Sequence, residues 1–113
     1  MALPHAASGA VIDVQRGDED LSQFSSIALA KTPEQELIRM TLPKGKTLPE
    51  HHVPGEVTLL CLQGEVTVET HGASRVLRAG QMLYLHGGQA HALLAGQDSL
   101  LLRTILLIKP LTR

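Results

Sequence analysis

Short apolar runs closed by glycine punctuate this chain along most of its length, and that rhythm constrains its fold more than any other feature. Two stretches display it most clearly: GKTLPEHHVPGEVTLLCLQG over 45–64 and GQMLYLHGGQAHALLA over 80–95. Each holds a strand-like apolar run between glycines, with histidines at its mouth. The rhythm continues outside them. SIALAKT (26–32) and ELIRMTL (36–42) are split by Thr32-Pro33-Glu34, and EVTLLCLQ (56–63) and EVTVET (65–70) by Gly64. After the turn His71-Gly72-Ala73-Ser74 come SRVLRAG, QMLYLHGG, AHALLAG and a last strand over 99–108, ended by Pro110. A short strand is also predicted over 9–15, GAVIDVQ, ahead of a charged, turn-rich segment over 16–24. Pro43, Gly45 and Pro49 break any helix between 43 and 50. Eight or nine short strands, spaced by roughly 8 to 12 residues with turn signals between, predict an all-β sandwich or barrel with little or no helix.

Alternation shows how each strand is covered. In 65–70, Val66 and Val68 face one way and Glu65, Thr67 and Glu69 the other, which is a strand with one wet face. In 57–62 both faces are apolar: Val57, Leu59 and Cys61 on one, Leu60 and Leu62 on the other. The last strand behaves likewise, with Leu101, Ile105 and Leu107 against Leu100, Leu102, Leu106 and Ile108. A strand apolar on both sides must be covered twice. One face fills the barrel; the other needs the second sheet, an N-terminal arm or another subunit. A homodimer joined through such faces is the simplest expectation.

The chain of 113 residues is expected to form a single domain over 1–113, with residues 1–9 as a loose arm. Ten basic and eleven acidic residues are scattered without runs, for a net charge of −1, so neither nucleic acid nor an anionic membrane is an expected partner. The start, MALPHAASGA, lacks the charged n-region of a signal peptide, and LLRTILLI near the end is interrupted by Arg103 and too short to span a membrane. The expected location is therefore the cytoplasm. The one cysteine, Cys61, sits in an apolar run and reads as inert packing. Trp is absent, and Phe24 and Tyr84 are the only other aromatics besides histidine, so a pocket here has few rings on which to stack a sugar or a base.

Gly45, His51 and Gly64 fall at the offsets of the first motif of the cupin superfamily, and Gly80, Gly88 and His91 at those of the second. The chain thus resembles a small single-domain bacterial cupin, with a barrel core over 38–108. His51-x-x-Pro54-Gly55 and Leu62-Gln63-Gly64 add to the likeness, as do Asp98-Ser99 and Leu100-Leu101. The resemblance implies a double-stranded β-helix, the jelly-roll barrel of that superfamily. It also implies a divalent transition metal such as Zn, Mn, Fe or Ni, held by three imidazoles and a carboxylate. In the strict frame two of those four ligands are present, His51 and His91. Val53 stands at the second histidine, Val57 at the glutamate, His86 at a turn proline and Ala95 at an asparagine.

Two imidazoles alone bind a metal weakly and fix no geometry, so further ligands have to come from neighbours. His52 is adjacent to His51 and on a regular strand would face the other way, unless Pro54-Gly55 turns it inward. Glu50 is a neighbour of the same kind, and Glu56 lies four residues beyond His52. The candidate metal set is therefore His51, His91, His52 and Glu56, and the candidate pocket is His51, His91, Tyr84 and His86. The competing readings are polar pocket wall for His51 and His91, solvated loop for His52, rim for His86, and exposed carboxylates for Glu50 and Glu56. His5 and His71 read as surface. No serine sits in a nucleophile elbow, and Gly87-Gly88 has no helix after it to make a phosphate loop. The expected function is a small-molecule-binding barrel, metal-free or weakly metal-binding, that senses or carries a small polar ligand. The alternatives are a metal-dependent oxygenase or isomerase, and a structural or assembly protein that has lost its ligand.

Overall fold

The computed structural model describes residues 5–15 and 17–108, and these contain nine strands and no helix. The strands are β1 (Ser25–Lys31), β2 (Gln35–Leu42), β3 (Thr47–His51), β4 (Val57–Gln63), β5 (Glu65–Thr70), β6 (Ala73–Arg78), β7 (Met82–Leu85), β8 (His91–Ala95) and β9 (Ser99–Leu106). They form a five-stranded sheet in the order β1-β2-β9-β4-β7 and a four-stranded sheet in the order β3-β8-β5-β6, with every pairing antiparallel. This is the all-β fold expected from the strand rhythm, in the double-stranded β-helix form that the resemblance implies.

Side-chain parity builds the core. Val57, Leu59 and Cys61 of β4 pair with Ile105, Arg103 and Leu101 of β9, and Ile38 and Met40 of β2 pair with Arg103 and Leu101. These residues share the inner face of the larger sheet. Val66 and Val68 of β5, with Leu93 and Ala95 of β8, line the inner face of the smaller one. Leu42, Leu59, Leu85 and Leu101 are fully buried, and each such leucine stabilises the fold by about 1.5–3 kcal/mol. Gly64 turns the chain from one sheet to the other at φ +85°, and a Cβ there would strike the Asp98 carbonyl and Ser99. A side chain at this motif position is thus excluded by both backbone angle and space.

The segment before β1 covers part of the larger sheet's outer face. Arg39 of β2 reaches Glu19 at 3.7 Å and the Asp13 carbonyl at 3.5 Å, and Thr41 donates to the Gln23 carbonyl at 2.6 Å. The strand predicted over 9–15 is not formed: that stretch follows the sheet through single contacts, such as Gln63 to Gln15 at 3.1 Å, rather than through a ladder. Of the arm predicted over 1–9, residues 1–4 lie outside the described set, as does Pro110. Within it, the Ala6 N–H donates to the Leu29 carbonyl at 2.9 Å.

β3 is the element that turn-forming residues concealed. Pro49 is tolerated because β3 is an edge strand and its pairing with β8 shifts register between Leu48 and His51. That shift delivers His51 opposite His91.

Candidate functional site

His51 ends β3, His91 begins β8, and Thr70 ends β5, so three neighbouring strands bring polar side chains to one end of the smaller sheet. The His51 and His91 rings lie 4.6 Å apart, centroid to centroid, tilted by 49°. Thr70 is buried and donates to the Ala90 carbonyl at 3.0 Å. From the facing sheet Arg103 of β9 enters the same space. Its Nη2 donates to His51 Nε2 at 2.6 Å and to His91 Nε2 at 3.4 Å.

Both rings are held in the tautomer this requires. His91 Nδ1–H donates to the Gln89 carbonyl at 3.1 Å. His51 is hydrogen-bonded to the backbone of Pro49. Proline has no N–H, so its carbonyl must be the acceptor; with Nε2 turned to Arg103, Nδ1 is the donor. In each case the carbonyl belongs to the residue two positions upstream. Each imidazole thus presents an Nε2 lone pair to the guanidinium.

The electrostatics agree with neutral rings around one cation. Burial, followed by the Arg103 charge, holds His51 below the ordinary imidazole value. Burial is also the largest influence lowering His91, opposed by its Gln89 hydrogen bond and reinforced by His51 and Arg103. Burial pulls Arg103 down from its ordinary value, and the charge of Glu36 opposes that. A guanidinium begins so high that it stays charged at neutral pH. Arg103 is only 8% exposed, and its Nε has no hydrogen-bond partner among the described residues.

A metal does not fit this arrangement. The Nε2 atoms that would ligate it accept from Arg103, and the remaining ligand positions of the strict frame are Val53 and Val57. Among the described residues no group of three or more His, Cys, Asp or Glu side chains converges on a point. His52 is exposed beside His51 and does not enter the cluster. Glu56 is also exposed, and it is hydrogen-bonded to Tyr84. Tyr84 pairs with Thr58, opposite in parity to the inward Leu83 and Leu85, which puts it on the outer face at 59% exposure. His86 is exposed at the rim, its ring edge-on to His71 at 5.5 Å. Of the six residues singled out for a metal or a pocket, the structure brings His51 and His91 together on the inner side, while Glu56 and Tyr84 meet on the outside.

Arg103 was not among those six. It interrupts an apolar run, and that interruption was its only apparent meaning in the sequence. Its parity carried the missing signal: position 103 lies on the same face as Leu101 and Ile105, so a strand that buries those two must bury the arginine with them.

Comparison with known proteins places this chain in a family. The cupin domain model matches residues 38–106. Solved structures share the fold. A conserved Streptococcus pyogenes protein of unknown function superposes with a TM-score of 0.80 at 19% identity, covering 97% of each chain. A cupin superfamily protein from Desulfitobacterium hafniense gives 0.79 at 18% identity over 96% of this chain and 99% of its own. An RmlC-like cupin from Desulfovibrio desulfuricans gives 0.68 at 24% identity over 94% and 97%. No curated protein matches. The glycine frames, the two facing sheets and the family match lead to one conclusion: the chain belongs to the cupin domain family.

Proposed function

We propose that this cupin is a metal-free, small-molecule-binding barrel whose internal cation is Arg103. The observation that carries the reading is the seat of the guanidinium, with Nη2 at 2.6 Å from His51 Nε2 and 3.4 Å from His91 Nε2. A barrel kept only for its fold gains nothing from a buried charge, which an apolar side chain of similar volume replaces at little or no loss of stability. Two rings fixed in one tautomer around a buried cation are a preorganised polar site in an otherwise aliphatic interior. The role that suits it is sensing or carrying a small polar ligand.

Protein purified without a histidine tag tests this by elemental analysis and ligand-induced thermal shift. The expected result is substoichiometric transition metal, together with polar small molecules that raise the melting temperature of the wild type but not of His51→Ala or His91→Ala. A stoichiometric transition metal lost in both variants contradicts it.

The same reading includes self-association. Leu60 and Leu102 are half-buried on the outer face of the larger sheet, and Met82 and Tyr84 are exposed beside them, which supports a homodimer through that face. Sedimentation is expected to give a dimer at micromolar concentration, and a monomer there refutes it.

A further inference from the structure

We propose that Arg103 is the anchor for the carboxylate of a small organic acid, bound at the end of the barrel where His51 and His91 frame the guanidinium. The proposal rests on the barrel being a small-molecule binder, and adds the charge and class of the ligand.

Four observations point to an anion. First, Arg103 is buried without a counter-ion: among the described residues no carboxylate lies within ion-pair distance, and its hydrogen-bond acceptors are two neutral imidazoles. A buried cation left in that state is costly, and an entering anion relieves the cost. Second, its donors are not used up. A guanidinium has five N–H groups, both contacts run through Nη2, and Nε is buried with no partner. Third, the surroundings do not cancel the charge. Each ring uses Nδ1–H on a backbone carbonyl and Nε2 as an acceptor, so the rings orient the guanidinium without adding or removing charge. Glu36 stands on the same face as Ile38, two residues along β2 from that partner of Arg103, and acts on Arg103 through space without an ion-pair contact. Fourth, the position is near the surface: His51 is partly exposed, while Arg103 is flanked on the inner face by its cross-strand partner Leu59 and by Leu101, both fully buried.

The rest of the molecule disfavours other ligand classes. The Tyr84 ring is on the outer face, so it offers a sugar or base no stacking surface beside Arg103. An adjoining hollow of about 370 Å³, lined by Thr70, Glu50, Glu69 and Gln89 but not by His51, His91 or Arg103, presents two carboxylates and has the wrong sign for an acid.

Acetate and its neutral isostere acetamide are the probes. Each is titrated into the full-length protein while the His51 and His91 imidazole resonances are followed by NMR. Acetate is expected to move both sets saturably in the wild type and in Arg75→Gln, an exposed-site control, with acetamide without effect. Arg103→Met is expected to weaken acetate by about tenfold or more, the loss of a charge-assisted pair. Arg103→Lys keeps the charge but not the fork; it is expected to bind acetate more weakly than wild type and more tightly than Arg103→Met, which keeps the test decisive if the methionine variant does not fold. Acetate binding that persists undiminished in Arg103→Met, or in Arg103→Lys with the methionine variant unfolded, overturns the anchor. A saturable response to acetamide but not acetate overturns the charge claim and leaves the small-molecule reading standing. No response to either probe overturns both.

Discussion

Two arginines are buried in the same sheet of this protein, on adjacent strands and opposite faces, and the sheet treats them differently. Arg39 is 4% exposed on the outer face, where the N-terminal segment brings Glu19 to 3.7 Å and the Asp13 carbonyl to 3.5 Å. Arg103 is 8% exposed on the inner face, where its acceptors are two neutral rings and its Nε has none among the described residues. One cation has a carboxylate at ion-pair distance; the other, among the described residues, has only the longer-range charge of Glu36. The first has the environment of a structural clamp; for the second, the proposed partner comes from outside the chain.

Stability measurements on paired variants probe this contrast with the largest expected effect. Arg39→Met removes charge-assisted contacts from a covered site and is expected to destabilise by about 2 kcal/mol in urea unfolding. Arg103→Met removes a buried charge with no ion-pair partner among the described residues and is expected to be neutral, or more stable by up to about 2 kcal/mol. Opposite signs, or a clear gap in that direction, support the distinction; equal losses remove it.

Acid provides a smaller effect. His51 and His91 are held below their unfolded values chiefly by burial, with Arg103 from β9 adding to the shift and the Pro49 and Gln89 carbonyls opposing it. A base whose folded pKa is lowered is taken up by protons first in the unfolded chain. The stability it contributes is complete above about pH 6.5 and falls as pH drops from there toward the folded values. Urea midpoints between pH 8 and pH 5 are expected to decline through that window, and less steeply in Arg103→Met. A decline of the same slope in both proteins shows that the guanidinium does not act on the rings.

The smallest effect belongs to Glu36. Its charge opposes the lowering of Arg103 without reaching ion-pair distance. Glu36→Gln is expected to raise acetate affinity a few-fold with little change in stability, because it removes a competitor at long range. Unchanged or weaker affinity shows that Glu36 does not compete.

The sequence revealed the architecture well and the site in part, for identifiable reasons. Gly64 and Gly80 anchor the motif frames because φ is positive at both and, at Gly64, no space exists for a side chain; such positions can be read from residue type. Val66 and Val68 alternate cleanly because β5 has one wet face. β3 was hidden by Pro49, whose cost vanishes at an edge with a register shift, a tertiary circumstance no local pattern reports. Parity in MLYL set Tyr84 apart from Leu83 and Leu85, yet proximity to the motif made it a pocket candidate. Arg103 was hidden by the opposite error: a charge in an apolar run looked like a break, whereas it held the inward phase of its strand.

The most direct test of the central claim, that Arg103 supplies the cation at the position flanked by His51 and His91, is the ¹⁵N spectrum of the two imidazoles in metal-free protein at neutral pH. Our account predicts that both rings are neutral, protonated at Nδ1, with Nε2 as a hydrogen-bond acceptor, and that the Nε2 signals move in Arg103→Met. A ring protonated at Nε2, or an imidazolium in either position, contradicts it.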